Sequence, residues 1–369
     1  MRARMATAMA LTGLSLMMAS AAMAQGVASP PGTPAAAPDS RAYLAQPLTT
    51  EIFLADPSAH VFDGRIYVYG SHDIEAPAAD DQPGKGYAMR DYRVLSMRID
   101  GGDVRVHPVA FAVEDVPWAD RQLWAPDAAR INGRYQVYFP AKDHEGVFRI
   151  GVAVGDRPEG PFRPEAEPIA GAFSIDPGVF VDQDGAAYLY AGGIHGGQLQ
   201  RWATGVYDPA AGNTDLNRPD DPALAPRVAR LTPDGLALAE PVREVLIVDE
   251  AGKPLKGGDL DRRFFEAAWV HHYGGLYYLS YSTGETHNIA YATSTSPYGP
   301  FTWRGVILKP VEGWTTHHSV VEVEGRWKLF YHDTQGTNRN TLRSAKWTDL
   351  VHEADGTIRT IDPFVAAAP

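Results

Sequence analysis

The stretch DPSAHVFDGRIYVYGSHD, residues 56–73, decides the fold, because four later segments repeat its plan. They are WAPDAARINGRYQVYFPAKD from Trp124, SIDPGVFVDQDGAAYLYAGG from Ser174, EAAWVHHYGGLYYLSYSTG from Glu266 and HHSVVEVEGRWKLFYHD from His317. Aligned on Gly64, Gly133, Gly185, Gly275 and Gly325, each shows apolar or aromatic alternation on both sides of a turn, as half-buried antiparallel strands require. The turns DG, NG, DG, GG and EG supply residues that tolerate the positive φ of tight hairpins. Between the hairpins lie further strand-like runs: RVLSMRID from Arg93, FRIGVAVG from Phe148, RVARLTPDG from Arg227, NIAYATS from Asn288 and TLRSAKW from Thr341. Two of them lead into similar turns, RPEGPFRP and SPYGPFTW. Such a repeat predicts an all-β chain folded as a five-bladed β-propeller of four-stranded blades. A sandwich of hairpins is the alternative, and regular five-fold recurrence weighs against it. A doubly wound α/β fold is not expected, since amphipathic helices and a Gly-rich dinucleotide fingerprint are lacking.

Outside the repeat, residues 1–24 carry two early arginines, an apolar middle and small residues at Ala22 and Ala24, and read as a secretory signal peptide. Residues 25–47 read as a Pro/Ala-rich flexible leader, leaving 48–369 for the propeller. An exported protein, periplasmic or extracellular, is expected. The chain has no cysteine, so export does not rely on disulfides. With 45 acidic against 33 basic residues, nucleic acid and anionic lipid surfaces are poor partners, and no membrane association is expected after signal cleavage.

Asp56, Asp176 and Glu266 stand at the starts of their hairpins, so radial packing points all three towards one central depression. Asp before Pro is also a common turn starter, which explains Asp56 and Asp176 equally well taken singly. Glu266, between Phe265 and Ala267–Ala268–Trp269, is a carboxyl in apolar company and must find a partner or keep its proton. Glycoside hydrolysis needs such a set, one carboxyl protonated at the leaving oxygen and another ionised near water. His72 and Asp73 end the first hairpin, His195 follows the third, and His317 and His318 open the fifth, making them candidates to bond a hydroxyl or a metal. No HExxH or CxxC spacing occurs, and DQDG at Asp182 reads as a hairpin turn rather than a calcium loop.

These segments, with MRDYRVLSM, GGQLQRW, GWTTHHSVVE and SAKWTDLVHEADGTI, make the chain resemble glycoside hydrolase family 43, and most closely its secreted β-xylosidase-like group. The resemblance implies a five-bladed propeller and hydrolysis with inversion, with Asp56 as general base, Glu266 as general acid and Asp176 as the carboxylate that raises the acid's pKa and orients the sugar. It implies that Trp124 walls the terminal subsite, that Arg343 reaches the sugar, and that His317 lies beside a calcium ion in the central channel. No cofactor is implied for the chemistry itself. One departure stands out: Gly-Pro is expected after the acid, and Ala267–Ala268 occur here. The implied function is an exo-acting β-xylosidase working on xylo-oligosaccharide or arabinoxylan fragments. An α-L-arabinofuranosidase or a dual activity is the alternative; an endo-arabinanase or a non-catalytic sugar-binding propeller is further off. The segment Thr204–Pro226, rich in Asp, Pro and Ala, is expected to wall off one end of the groove.

Overall fold

The computed structural model describes residues 41–75, 86–212 and 218–366; the expected signal segment 1–24 and leader residues 25–40 lie outside them. Among the described residues there is no α-helix, only strands and three short 3-10 turns.

The hairpins open five antiparallel sheets. Blade I runs Phe53–Phe62, Arg65–Asp73, Asp91–Arg98, Arg105–Val106. Blade II runs Asp127–Ile131, Arg134–Asp143, Phe148–Gly155, Arg163–Pro164. Blade III runs Gly178–Val181, Ala187–Ala191, Arg227–Arg230, Arg243–Glu244. Blade IV runs Glu266–Tyr273, Leu276–Ser282, Ile289–Ser294, Phe301–Leu308, with Ile247–Val248 added parallel at its outer edge. Blade V runs His318–Val323, Arg326–Asp333, Ser344–Leu350. The first strand of each blade contacts the first strand of the next, and the fifth contacts the first, so the inner strands close a ring. This is a five-bladed β-propeller.

No single core holds it. Burial is divided among the blade interfaces: Tyr69, Tyr92, Phe111 and Phe139 between blades I and II, Tyr138, Ile150 and Leu189 between II and III, and Tyr190, Tyr281 and Phe301 between III and IV. Tyr291, Leu329 and Tyr331 join IV to V, and Val68, Met97 and Phe330 join V to I. At about 25 cal/mol per Å² of apolar surface removed from water, these interfaces supply the bulk of the stabilisation.

The ring is sealed where its ends meet. Leu48 N–H donates to Ala345 O at 2.8 Å on the outer side of blade V, and Arg41–Tyr43 pairs antiparallel with Phe364–Ala366. Both contacts cover strand edges that would otherwise offer unpaired amides. Arg41–Tyr43, inside the stretch 25–47 expected to be a flexible leader, is a strand, because Phe364–Ala366 gives it a partner.

Two tyrosine latches recur in alternate interfaces. Tyr135 Oη donates to Asp63 Oδ2 at 2.6 Å between blades I and II, and Tyr277 Oη to Asp182 Oδ2 at 2.6 Å between III and IV. Likewise Tyr69 Oη donates to Pro158 O at 2.5 Å and Tyr190 Oη to Pro297 O at 2.6 Å, both prolines lying in the two similar turns. Blades I–II and III–IV are thus two copies of one larger unit, and blade V stands apart.

Candidate active site

Three of the five inner strands begin with an irregularity. In blade I the pairing jumps from Ala55↔Ser71 to Ser58↔Tyr69, leaving Asp56 and Pro57 as a bulge. In blade IV it jumps from Glu266↔Ser282 to Trp269↔Ser280, leaving Ala267 and Ala268. Asp56, Asp176 and Ala267 have φ of 54°, 53° and 63°, in the left-handed region that costs most side chains about 1–2 kcal/mol and that Asp tolerates best. A bulge adds a residue and re-aims the neighbouring side chain. The structure also corrects the alignment of the carboxylates. Asp56 stands eight residues before Gly64, and the residue eight before Gly275 is Ala267. Asp176 stands nine before Gly185 because the turn of blade III, from Val181 to Ala187, is longer, and its φ matches those of Asp56 and Ala267. Glu266 is therefore one position upstream of the place held by Asp56 and Asp176, and its counterpart in blade II is Trp124.

All three carboxylates nevertheless reach one cavity of about 340 Å³. Tyr87, Met89, Trp124, Ile175, His195, Phe265, Trp314, Thr315, His317 and Arg343 complete most of its lining. Gly178 lets the wall close tightly, since a Cβ there would lie 2.3 Å from Ala268 O.

Asp56 is buried and fully engaged. Its Oδ1 accepts from Arg343 Nη1 at 2.9 Å and its Oδ2 from Ser71 Oγ at 2.7 Å. Burial is the strongest single influence and would raise its pKa, but Arg343, the facing histidines and the Ser71 hydrogen bond together outweigh it and hold the carboxyl below its ordinary value. Its backbone N–H donates to His332 Nδ1 at 2.9 Å, so that nitrogen is unprotonated and the Nε2–H donates to Thr315 O at 3.0 Å. Burial pushes the His332 pKa down to about 3, so His332 fixes the Asp56 backbone as a neutral ring.

Arg343 in turn is held by Asp73, which accepts from its backbone N, Nε and Nη2, each at 2.8 Å. The guanidinium lies 5.0 Å from the centre of the Tyr87 ring, and Nη1 also donates to Thr315 Oγ1 at 3.0 Å. Asp73 is therefore a positioning group behind Arg343 rather than a lining residue. His72, expected to bind substrate, does not line the cavity; its Nδ1 pairs with Asp91 Oδ1 at 2.9 Å. Strand alternation explains the split, because Ser71 and Asp73 face one side of the sheet and His72 the other.

Asp176 and Glu266 have no cation against them. Burial pushes both upward: with Asp56 repelling it, Glu266 rises to about 8, and with Glu266 and Asp56 repelling it, Asp176 rises well above the ordinary carboxylate range. Two carboxyls so placed do not ionise independently. Asp176 Oδ2 accepts the Ala267 N–H at 3.0 Å, a bond that lowers its pKa without overcoming burial and the neighbouring carboxylates. One cavity thus holds an ionised Asp56 and a protonated Glu266, which is the acid–base division glycoside hydrolysis requires. A further buried axial carboxylate, Asp127, is not part of it: it accepts from Ser58 Oγ and Val179 N at 2.5 Å and pairs with His60 at 2.7 Å, bracing blades I, II and III.

Of the remaining expectations, Trp124 lines the cavity with its Nε1 donating to Tyr87 O at 2.8 Å and its ring 4.6 Å from that of Phe148. His195 lines it from a one-turn 3-10 segment, its ring packed edge-on against Phe265. No described residue of Thr204–Pro226 lines the cavity, which overturns its expected role as a wall. Its Gly212 is linked to the site through Gln200 Nε2, which donates to both His195 O and Gly212 O. His317 lines the cavity with both ring nitrogens unpartnered, Nε2 lying 4.0 Å from Asp176 Oδ2. Among the described residues no group of three His, Asp or Glu could hold a metal. The donors present therefore fit only a cation that takes one imidazole nitrogen and draws its other ligands from water. Tyr87, Thr315, His332 and Trp314 were not anticipated; Tyr87, Trp314 and Thr315 come from loops outside the hairpins, and His332 stands seven residues after Gly325, as Ser71 stands seven after Gly64.

Comparison with known proteins agrees with this geometry. Residues 47–358 match the family described as Glycosyl hydrolases family 43. The chain belongs to glycoside hydrolase family 43. It is 53% identical over 324 residues to xylosidase/arabinosidase 43A of Humicola insolens, covering 86% of this chain and 99% of that protein. It is 50% identical to a β-xylosidase of Xylanibacter ruminicola, covering 84% and 97%. Among solved structures, a family 43 β-xylosidase/α-arabinofuranosidase from a compost microbial metagenome, in complex with xylotriose and free of calcium, superposes with a TM-score of 0.86 at 59% identity, covering 88% and 99%. As a family 43 member the protein is a glycoside hydrolase whose two-carboxyl chemistry needs no cofactor. Among its described residues no helix is long and apolar enough to cross a membrane.

Proposed function

We propose that this hydrolase removes terminal β-1,4-linked xylosyl units from xylo-oligosaccharides with inversion at the anomeric carbon, as a step in hemicellulose breakdown. The opposite protonation of Asp56 and Glu266 in one cavity is the observation that carries the reading. Asp56 takes a proton from water as that water bonds to C1. The C1–O bond breaks on the opposite face, and Glu266 gives its proton to the departing oxygen. Asp176 repels the ionised form of Glu266 and so keeps the acid loaded. Arg343 and Trp124 hold the terminal ring. Exo action is supported by the Trp124 side of the cavity, which is backed by the packed cluster of Met89, Trp124, Phe148 and Ile175.

A second reading is favoured by the names of the relatives: the Humicola insolens protein is a xylosidase/arabinosidase. Terminal α-L-arabinofuranosyl units would then be accepted in the same cavity. A divalent cation such as calcium, taken up by His317 with water as its other ligands, would offset the negative charge of the carboxylates. The same proposal places the enzyme outside the cytoplasm after cleavage behind Ala24, with Gln25 as the N-terminus read from the exported protein.

Proton NMR on xylobiose and on an arabinosyl-substituted xylo-oligosaccharide tests the assignment. Early appearance of α-xylose from the β-linked dimer supports it, while arabinose alone moves the activity to the second reading. Early β-xylose overturns inversion, and no release from either overturns both readings.

A further inference from the structure

Trp314 is the most exposed of the protein's tryptophans, with 47% of its surface in solvent, yet it lines the catalytic cavity and joins none of the apolar clusters between blades. An indole left out of the core carries no packing role, and a single exposed aromatic would need no comment were its backbone loose. Here the backbone is pinned from both sides. Trp314 N–H donates to Asn340 Oδ1 at 3.0 Å, and His287 Nδ1 donates to Trp314 O at 2.6 Å. The next residue, Thr315, accepts from Arg343 Nη1 and His332 Nε2, each at 3.0 Å. Among the described residues the only ring against the indole is His287, met edge-on at 4.8 Å, and much of the indole surface is in solvent. Its backbone is therefore held by blades IV and V before any ligand arrives, which lowers the entropy cost of ordering a contact on binding.

We propose that Trp314 is the platform for the second pyranose ring, the leaving-group sugar that emerges from the cavity past Glu266. The inference rests on the exo-xylosidase reading and deepens it. The buried lining at Asp56, Trp124 and Arg343 takes the terminal ring, and the next ring sits at the mouth, where its apolar C–H face covers the indole. A pyranose has such a face and stacks on an aromatic ring, whereas a small alkyl leaving group does not reach it. Trp314 thereby selects for an oligosaccharide leaving group without touching the reacting atoms.

The test compares xylobiose with methyl β-D-xyloside, which share the terminal sugar and differ in the leaving group. Trp314→Ala is expected to lower kcat/KM on xylobiose by about tenfold, in the range of one lost aromatic contact, mostly through KM. On the methyl glycoside it should change by less than about twofold on the same scale. Trp314→Phe should restore most of the loss, and Trp314→Leu, which keeps bulk without a flat face, should not. Equal losses on both substrates, or a shifted acid limb of the pH profile, would mean that Trp314 acts through Thr315 on the Asp56 network and would overturn the proposal. No loss on xylobiose would overturn it too. Failure of the wild-type protein to release xylose from xylobiose counts against the function itself, and is read before any variant. Should the Ala variant not fold, the Phe and Leu variants carry the same comparison.

Discussion

Blades I–II and III–IV are two copies of one unit with the same tyrosine latches, yet they present opposite chemistry to the cavity. Asp56 and Asp176 occupy equivalent left-handed positions, but one is held ionised and the other is pushed towards protonation. The cause lies outside the repeat. Blade V sends Arg343 to Asp56, while Asp176 meets Glu266, a residue whose counterpart in the other copy is Trp124. The repeat places two carboxyls inward, and asymmetry in their neighbours shifts their pKa values in opposite directions, which is what the proposed division into base and acid support rests on.

The largest break in that asymmetry is removal of the acid. Glu266→Gln should lower kcat on xylobiose by about a thousandfold, within the range for general acid catalysis, and far less on aryl xylosides with good leaving groups. Equal losses on both would sink its role as acid. In the wild type, kcat/KM should fall on the alkaline side with an apparent pKa near 8, as Glu266 loses its proton, and this limb should vanish in the Gln variant.

Arg343→Lys weakens the other half. A Lys cannot reproduce the bidentate bond to Asp73 while also reaching Asp56, so the Asp56 pKa should rise. Because the base must be ionised to work, the acid limb should then move to higher pH, with a loss in kcat/KM of about a hundredfold. An unmoved acid limb would show that Arg343 binds sugar without tuning Asp56. Asp176→Asn should act on the opposite limb: removing the like charge lowers the Glu266 pKa, so the alkaline limb should move to lower pH, with about a tenfold loss at neutral pH. An alkaline limb that stays near 8 would assign the raised pKa to burial alone.

How much of this was legible follows the same division. The five hairpins could be read because turn glycines and two-residue alternation are local properties, and Asp56 and Asp176 because each precedes proline near the start of its hairpin. Glu266 was found as a carboxyl in apolar company, but its displacement by one position depends on a bulge, which belongs to the pairing register and not to composition. His72 was misplaced for the same reason, since only the register decides that Ser71 and Asp73 face Asp56 and Arg343. Thr315, Tyr87 and Trp314 converge from loops with no periodic signal, whereas His332 shares with Ser71 its offset from the turn glycine and its bond to Asp56. The role expected of Thr204–Pro226 rested on its bulk, and bulk does not say where a segment packs.

The smallest expected effect concerns Ala267, which holds in blade IV the left-handed position that Asp56 and Asp176 hold in blades I and III. At φ of 63° an alanine costs about 1–2 kcal/mol that glycine would not. Ala267→Gly relieves this, but it exposes no new contact for a buried methyl worth about 0.8 kcal/mol, and it adds unfolded-chain entropy worth about 0.4–1 kcal/mol. The three nearly cancel, so stability by denaturant titration should stay within about 1 kcal/mol of the parent. The backbone N–H at 267 still reaches Asp176, so the alkaline limb should not move. A gain of several kcal/mol would mean that strain beside the acid is larger than the dihedral implies. A shifted limb with unchanged stability would instead show that the alanine Cβ, and not the amide alone, sets how Glu266 and Asp176 ionise.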